Sequence, residues 1–250
     1  MGTPPAEPEV FRFADAAATA SAVADALVDE LAGRKAHTHI SVTGGGMGAA
    51  IWPKLAAHPK ASDVRWDRVH VWFSDERYAP SGSADRNDTA VIAMAGELGL
   101  LPEHIHSVPG PDSVPSVEAA AYGYALALDG RRVPRAGDVP APVFAVSILG
   151  IGPDGHVASL FPGRPEVAVT RGAVVTVENS PKPPPVRVSF TRPALLQCRQ
   201  LWMIAAGAEK AQAVSRALTL GEDVNRTPAA ELRGREATRW FLDKAAAADL

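Results

Sequence analysis

Residues 143–163, VFAVSILGIGPDGHVASLFPG, decide the fold. Val143–Leu149 is a largely apolar run bounded by turn signals, the pattern of an interior strand in a parallel sheet. Ligands of open α/β sheets bind just outside the carboxyl ends of the strands. Asp154 and His156 therefore stand where a strand delivers side chains to a site. Histidine titrates near neutral pH, which makes His156 a candidate general base.

Outward from this stretch, strands and helices alternate. On the amino-terminal side an alanine-rich segment, 15–33, carries Val23, Leu27 and Leu31 at four-residue spacing and predicts an amphipathic helix stopped near Gly33. His39–Val42 predicts a strand. Thr43-Gly44-Gly45-Gly46 follows, then a helix through Ile51 and Leu55. Val69–Ser74 predicts a strand entering a polar loop, Asp75–Asp88, with helices at Thr89–Leu98 and 116–130 and a surface loop at 131–142. On the carboxyl side, Ala173–Val177 and Val186–Phe190 predict strands separated by ENSPKPPP, and Leu201–Ala206 predicts a buried strand. Gly207 then opens a helix carrying Lys210, and a last helix is expected over Arg235–Ala246. The expected fold class is α/β, a mainly parallel doubly wound, Rossmann-like sheet flanked by helices on both faces. Residues 1–9 are expected to be a disordered lead and 10–250 a single domain.

Composition narrows the function. The chain has 250 residues, 46% hydrophobic and 21% charged, which suits one large core. A net charge of −3 argues against nucleic acid or an anionic membrane as partner. The single cysteine, Cys198, can make no internal disulfide, which fits a reduced cytoplasmic setting. No apolar run approaches the roughly 18 residues of a membrane span. The start, MGTPPAEPEV, lacks the regions of a secretory signal, and Ala6 breaks the myristoylation pattern.

Several constellations carry chemistry. Glycines between a strand and a helix let backbone N–H groups approach an anion at a helix N-terminus, so Thr43, Gly44 and Gly45 suit a phosphate. No Gly-Lys-Ser/Thr follows, so this is not a Walker loop. Gly150 to Gly155 matches G-x-G-x-x-G, and Gly44 to Ala49 matches its alanine-ended form. Pro162 and Pro165 bar the long helix that a dinucleotide turn needs after the first. The second lacks an acidic residue at the end of the next strand. Asp75-Glu76-Arg77 follows a strand end: Arg77 can grip a phosphate through paired hydrogen bonds, and Asp75 can receive a sugar hydroxyl or hold Arg77. Lys210, Lys182 and Arg187 add basic groups near strand ends. His37/His39 and His104/His106 are H-x-H pairs, but no cysteine or carboxylate cluster completes a zinc pattern, so no metal is expected. There is no G-x-S-x-G elbow, and Cys198 has no paired histidine, so it reads as a packed thiol.

Taken in order, TGGG, WFSDERYAP with Asn87 ten residues after Arg77, LGIGPDGHVASLFPG, KPPPVRVSFTRPAL and GAEKAQAV resemble the 6-phosphogluconolactonases of the glucosamine-6-phosphate isomerase/6-phosphogluconolactonase family. The resemblance runs from about Val10 to the end, and GPDGHVASLFPG is its most specific block. The isomerase/deaminase branch resembles DGHIAFNEPG there; Phe161 replaces its glutamate and cannot do acid–base chemistry. The loop TGGGMG departs from the family's SGGSTP in having no hydroxyl after Gly45. The resemblance implies hydrolysis of a phosphorylated sugar lactone, 6-phospho-D-glucono-1,5-lactone, with no metal and no cofactor. It implies His156 as base, Asp154 as its support, and Thr43, Gly44, Gly45, Asp75, Arg77, Arg187 and Lys210 as substrate-binding residues. A cytoplasmic monomer or weak homo-oligomer is expected. The rivals are a hexosamine-phosphate deaminase, a non-catalytic sugar-phosphate sensor and a nucleotide-dependent oxidoreductase.

Overall fold

A computed structural model describes residues 7–130 and 139–250. The first half contains β1 (Glu9–Phe13), α1 (Ala16–Leu31), β2 (Thr38–Val42), α2 (Gly45–Ala56), β3 (Val69–Phe73), β4 (Asp75–Arg77), α3 (Asp88–Leu98), β5 (Ile105–His106) and α4 (Val117–Asp129). The second contains β6 (Phe144–Gly150), β7 (Val174–Val177), β8 (Arg187–Phe190), α5 (Arg192–Leu195), β9 (Cys198–Ala205), α6 (Ala211–Leu218) and β10 (Ala237–Asp243). Seven strands form one parallel sheet in the order β1-β10-β9-β6-β2-β3-β5. From β2 the chain builds outward through β3 to β5, and from β6 it builds the other way through β9 to β10. The reversal lies between β2 and β6, and such a switch point leaves a crevice at the strands' carboxyl ends.

Side chains alternate across the strands, so each strand feeds two cores. In β9, Leu201, Met203 and Ala205 face one layer and Trp202 and Ile204 the other. The second layer packs against Val23, Leu27 and Leu31 of α1, Ile51 and Leu55 of α2, and Val91 and Leu98 of α3. The first packs against α4, α6 and a small antiparallel sheet, β4-β8-β7. Tyr124 of α4 ties this face to β3, donating to the Phe73 carbonyl at 3.0 Å and accepting from its N–H at 2.8 Å. No helix among the described residues is long and apolar enough to cross a membrane.

Three expectations are corrected. The expected last helix, Arg235–Ala246, is instead strand β10. Trp240 and Leu242 face one core and Phe241 the other, and this period-two burial overrides the helix-forming alanines that follow. Of the expected disordered lead, residues 1–6 lie outside the described residues. Glu9 already belongs to β1, which pairs with β10 and stacks Phe11 on Phe241 at 5.5 Å. Of the expected surface loop 131–142, residues 131–138 lie outside the described residues, while Val139 and Ala141 are buried in the core. The expected strands Ala173–Val177 and Val186–Phe190 form, as Val174–Val177 and Arg187–Phe190, in the small antiparallel sheet.

The polar loop after β3 is also not a solvated loop. Asp75–Arg77 is a strand, and Glu76 is fully buried. Its carboxylate accepts from the N–H groups of Arg77 and Asn87 at 2.8 Å and of Asp88 at 3.0 Å. Arg86, itself buried and bound to Asp88 at 2.6 Å, lies 3.9 Å away. Burial pushes the Glu76 carboxyl up to about 7, against the opposing pull of Asn87, Arg86 and Arg77. A carboxyl raised in the folded state holds a proton that the unfolded chain has released, so its share of stability is full below the unfolded value of 4.5 and is lost as pH rises through 7. Urea midpoints of wild type and Glu76→Gln at pH 5 and pH 8 should show wild type losing stability relative to the variant as pH rises, by up to roughly 3 kcal/mol. Parallel pH slopes for the two proteins would contradict this. The slope is the readout, because the Gln amide must face one of the N–H donors at any pH.

Candidate active site

The loops after β2 and β6 meet at the switch point. A cleft of about 680 Å³ opens there, lined by both loops, by β4 and β8, and by the segment after β9. It brings together Thr43, Gly44, Gly45, Asp75, Arg77, Arg187, Lys210 and His156 of the residues expected from sequence. Asp154 supports His156 from behind.

His156 and Asp154 form a pair. His156 Nδ1 lies 2.5 Å from Asp154 Oδ1, and the His156 N–H also reaches that oxygen at 3.3 Å. A carboxylate at Nδ1 keeps the proton there, so Nε2 is the nitrogen left to accept. Burial pushes the Asp154 carboxyl up, but the hydrogen bond from His156 and its charge outweigh burial and hold it at about 2. Asp154 therefore stays ionised through the neutral range. Phe161 packs its ring 4.6 Å from the imidazole and fixes the other side. Backbone space makes the pair possible: a Cβ on Gly152 would lie 1.9 Å from His156 Nδ1 and 2.5 Å from Asp154 Oδ1. Gly155 adopts φ +94°, a conformation that suits glycine, and Arg216 anchors the turn by donating to the Asp154 carbonyl at 3.2 Å.

The other wall is cationic. Gly44 caps α2 with no side-chain hydrogen bond, leaving a helix N-terminus open to an anion. A Cβ on Gly44 would strike Asn87 Oδ1 at 1.8 Å, so only glycine lets the loop lie against that amide. Arg77 donates through Nη1 to the Asp85 carbonyl at 2.6 Å and to Asn87 Oδ1 at 2.9 Å, while its buried Nε has no hydrogen-bond partner. Lys182 and Lys210 also line the cleft. Burial and the charge of Lys182 lower the Lys210 ammonium, and Glu209 and Asp154 oppose them. An anion between these groups would relieve that repulsion.

Two expected roles change. Asp75 does not hold Arg77. It is buried, accepts from Ser159 Oγ at 2.6 Å and lies 3.8 Å from Arg187. Arg187 sits opposite Arg77 in the β4–β8 register, yet its donors are engaged by the chain itself. Nε reaches the Pro184 carbonyl at 3.1 Å and Nη2 the Lys182 and Pro183 carbonyls at 3.0 and 3.1 Å. It braces the loop that presents Lys182 rather than offering a fork to a ligand.

Asn87 is the residue to which the sequence reading gave no role. Besides accepting from Arg77, its Nδ2 donates to the Asp75 carbonyl at 2.8 Å, so one amide joins Arg77, Asp75 and the glycine loop. Its ten-residue distance from Arg77 was visible, but no spacing shows that a chain will fold back on itself. Ser159 was likewise silent inside the DGHVASLFPG block. Cys198 is buried, and burial pushes its thiol up to about 12, consistent with a packed, unreactive sulfur.

Gly152→Ala is expected to split the His156–Asp154 pair while leaving far-UV circular dichroism unchanged. The measurement is the downfield Nδ1 proton resonance of His156, present in wild type and absent in the variant; persistence of that signal would contradict the geometry.

Residues 14–240 match the family described as glucosamine-6-phosphate isomerases/6-phosphogluconolactonase. The chain is 41% identical over 238 residues to a 6-phosphogluconolactonase of Streptomyces coelicolor, covering 94% of this chain and 90% of that relative. It is 40% identical over 214 residues to a 6-phosphogluconolactonase of Mycobacterium tuberculosis, covering 84% of each. In fold it resembles the solved 6-phosphogluconolactonase of Trypanosoma brucei, with a TM-score of 0.84 at 24% identity, over 98% of this chain and 99% of that one. The family match takes in both walls of the cleft and the parallel sheet except for β1 and the end of β10, and the chain belongs to the glucosamine-6-phosphate isomerase/6-phosphogluconolactonase family.

Proposed function

We propose that this chain hydrolyses 6-phospho-D-glucono-1,5-lactone to 6-phospho-D-gluconate, in the oxidative pentose phosphate pathway, with His156 activating the water. The observation that carries the mechanism is the pairing of His156 with an ionised Asp154 across one cleft from Arg77 and the open α2 N-terminus. Its support also includes relatives of known name at 40–41% identity over most of the chain.

A δ-lactone is an activated cyclic ester, so the reaction needs a positioned base and little more. His156 Nε2 takes a proton from water as the oxygen attacks C1. The tetrahedral adduct collapses with cleavage of the bond from C1 to the ring oxygen. The imidazolium returns its proton to that departing oxygen, leaving the open-chain hydroxyl and a carboxylic acid that ionises. Asp154 holds the tautomer and stabilises the imidazolium. Thr43, Gly44, Gly45, Arg77 and Lys210 take the 6-phosphate, with Lys182 beside them. That remote binding positions the ring for attack. Gly152 and Gly155 N–H groups donate to carbonyls within the loop, at 2.9 Å each, and so are not the oxyanion donors. A monomer or weak homo-oligomer in a cytoplasmic setting completes the reading, and the lone buried thiol suits that setting.

Phe161 separates this reading from amino-sugar deamination. It is buried against His156 where that chemistry would want an acid.

With lactone made in situ and spontaneous opening subtracted, His156→Ala is expected to lower kcat by about 10²–10⁴. Asp154→Asn should lose at least about a hundredfold, through the wrong imidazole tautomer. Asn87→Ala, which loosens Arg77, should raise KM more than it lowers kcat. A wild-type rate no greater than background, or ammonia release from glucosamine 6-phosphate, would overturn the lactonase reading. An unimpaired His156→Ala would overturn the base assignment alone.

A further inference from the structure

Five of the seven histidines meet far from the cleft, at the amino ends of the strands. His37 precedes β2, His70 lies at the start of β3, and His104 precedes β5. The parallel register sets His39 beside His70 and Trp72 beside His106. The two H-x-H pairs, each insufficient along the chain, are thereby joined through a third strand.

The geometry is specific. One nitrogen from each of His37, His70 and His104 lies within 4.8 Å of the other two. His37 Nδ1 and His70 Nε2 are 2.8 Å apart, and the His70 and His104 rings are 3.8 Å centroid to centroid. The other nitrogen of His70, Nδ1, is 3.0 Å from His106 Nε2. That is the arrangement of a metal-binding imidazole: one nitrogen toward the ion, the other held by a partner that fixes the ring. His106 is in turn clamped, stacked at 3.8 Å on Trp72, whose indole N–H donates to His39 at 2.9 Å.

We propose that His37, His70 and His104 bind a divalent transition ion of the zinc class through three imidazole nitrogens, with the fourth position open to solvent. Neutral imidazole suits zinc, and three histidines plus water is a known ligand count for it. Bonds of about 2.0–2.1 Å at tetrahedral angles set the nitrogens about 3.3 Å apart, so closure asks for shifts on the order of 1 Å. His37, exposed on the loop before β2, is the ring placed to make them. A second pocket of about 260 Å³ beside His37 and His39 gives an approach from solvent. Of the three cations on its rim, Arg34 and Arg199 are paired with Glu30 and Glu236, and Lys35 is exposed to solvent. The bound ion would fasten the amino ends of three strands.

Metal-free full-length protein would be titrated with Zn²⁺ by calorimetry and with Co²⁺ by visible absorption. Expected are uptake of one equivalent at micromolar concentration and the intense visible band of tetrahedral Co²⁺. His37→Ala should weaken Zn²⁺ binding by more than the roughly 10–100-fold that loss of an orienting partner costs, with lactone hydrolysis unchanged. His104→Ala is a second variant with the same expectation, and His156→Ala should bind Zn²⁺ as wild type does. No stoichiometric uptake by wild type would overturn the site. So would undiminished affinity in both His37→Ala and His104→Ala, or loss of binding in His156→Ala alone.

Discussion

Glu76 is a fully buried carboxyl group, and the cationic wall of the cleft depends on how it is satisfied. Its two oxygens gather the N–H groups of Arg77, Asn87 and Asp88, residues up to twelve positions away. That gathering folds the segment after β3 back on itself, so β4 can pair with β8 and α3 can start at Asp88. A buried carboxyl left without hydrogen-bond donors costs several kcal/mol, which favours the fold-back that supplies these three N–H groups. Arg86 completes the arrangement with Asp88 and the Ala79 and Val108 carbonyls. None of these groups reaches the cleft except Arg77 and Asn87, yet together they decide where those two point.

The opposite wall follows a different logic. The turn after β6 is built around absent side chains: Gly152 leaves room for the His156 ring, and Gly155 takes a left-handed backbone conformation. Phe161 and Asp154 then hold the imidazole from two sides. One wall therefore owes its order to charge satisfaction and the other to backbone space. They are brought into register by the sheet, because β2 and β6 are neighbours and the chain diverges from them in opposite directions. In the proposed reaction, a binding end and a reacting end held on rigid strand termini let remote phosphate contacts orient a distant carbonyl.

The same sheet has a second end. Parallel strands send all their carboxyl termini to one edge, so residues at their amino termini are gathered just as tightly at the other. In β2, β3 and β5 those residues are histidines, and five imidazoles with one indole form a continuous polar stack where an apolar layer would serve packing alone. The two edges share strands but no residues, so the proposed ion site at one is separable from the proposed ester hydrolysis at the other.

Much of this protein could be read from its residues in order. The run 143–149, its glycine turn and the strand–helix alternation dictated a parallel sheet, because buried strands and amphipathic helices carry periods that local composition reveals. Asp154, His156, Thr43, Gly44, Gly45, Arg77 and Lys210 were legible because each follows a strand end. What the sequence could not decide was anything that depends on which distant group arrives. Arg235–Ala246 read as helix because the alanines are local, whereas its strand pairing with β9 is not. Asp75 meets Arg187 instead of Arg77, Asn87 becomes a junction, and two H-x-H pairs find a fifth histidine, His70. Only the tertiary structure decided these, since a hydrogen bond or an ion pair depends on separation in space, and the chain's own order specifies that separation only for near neighbours.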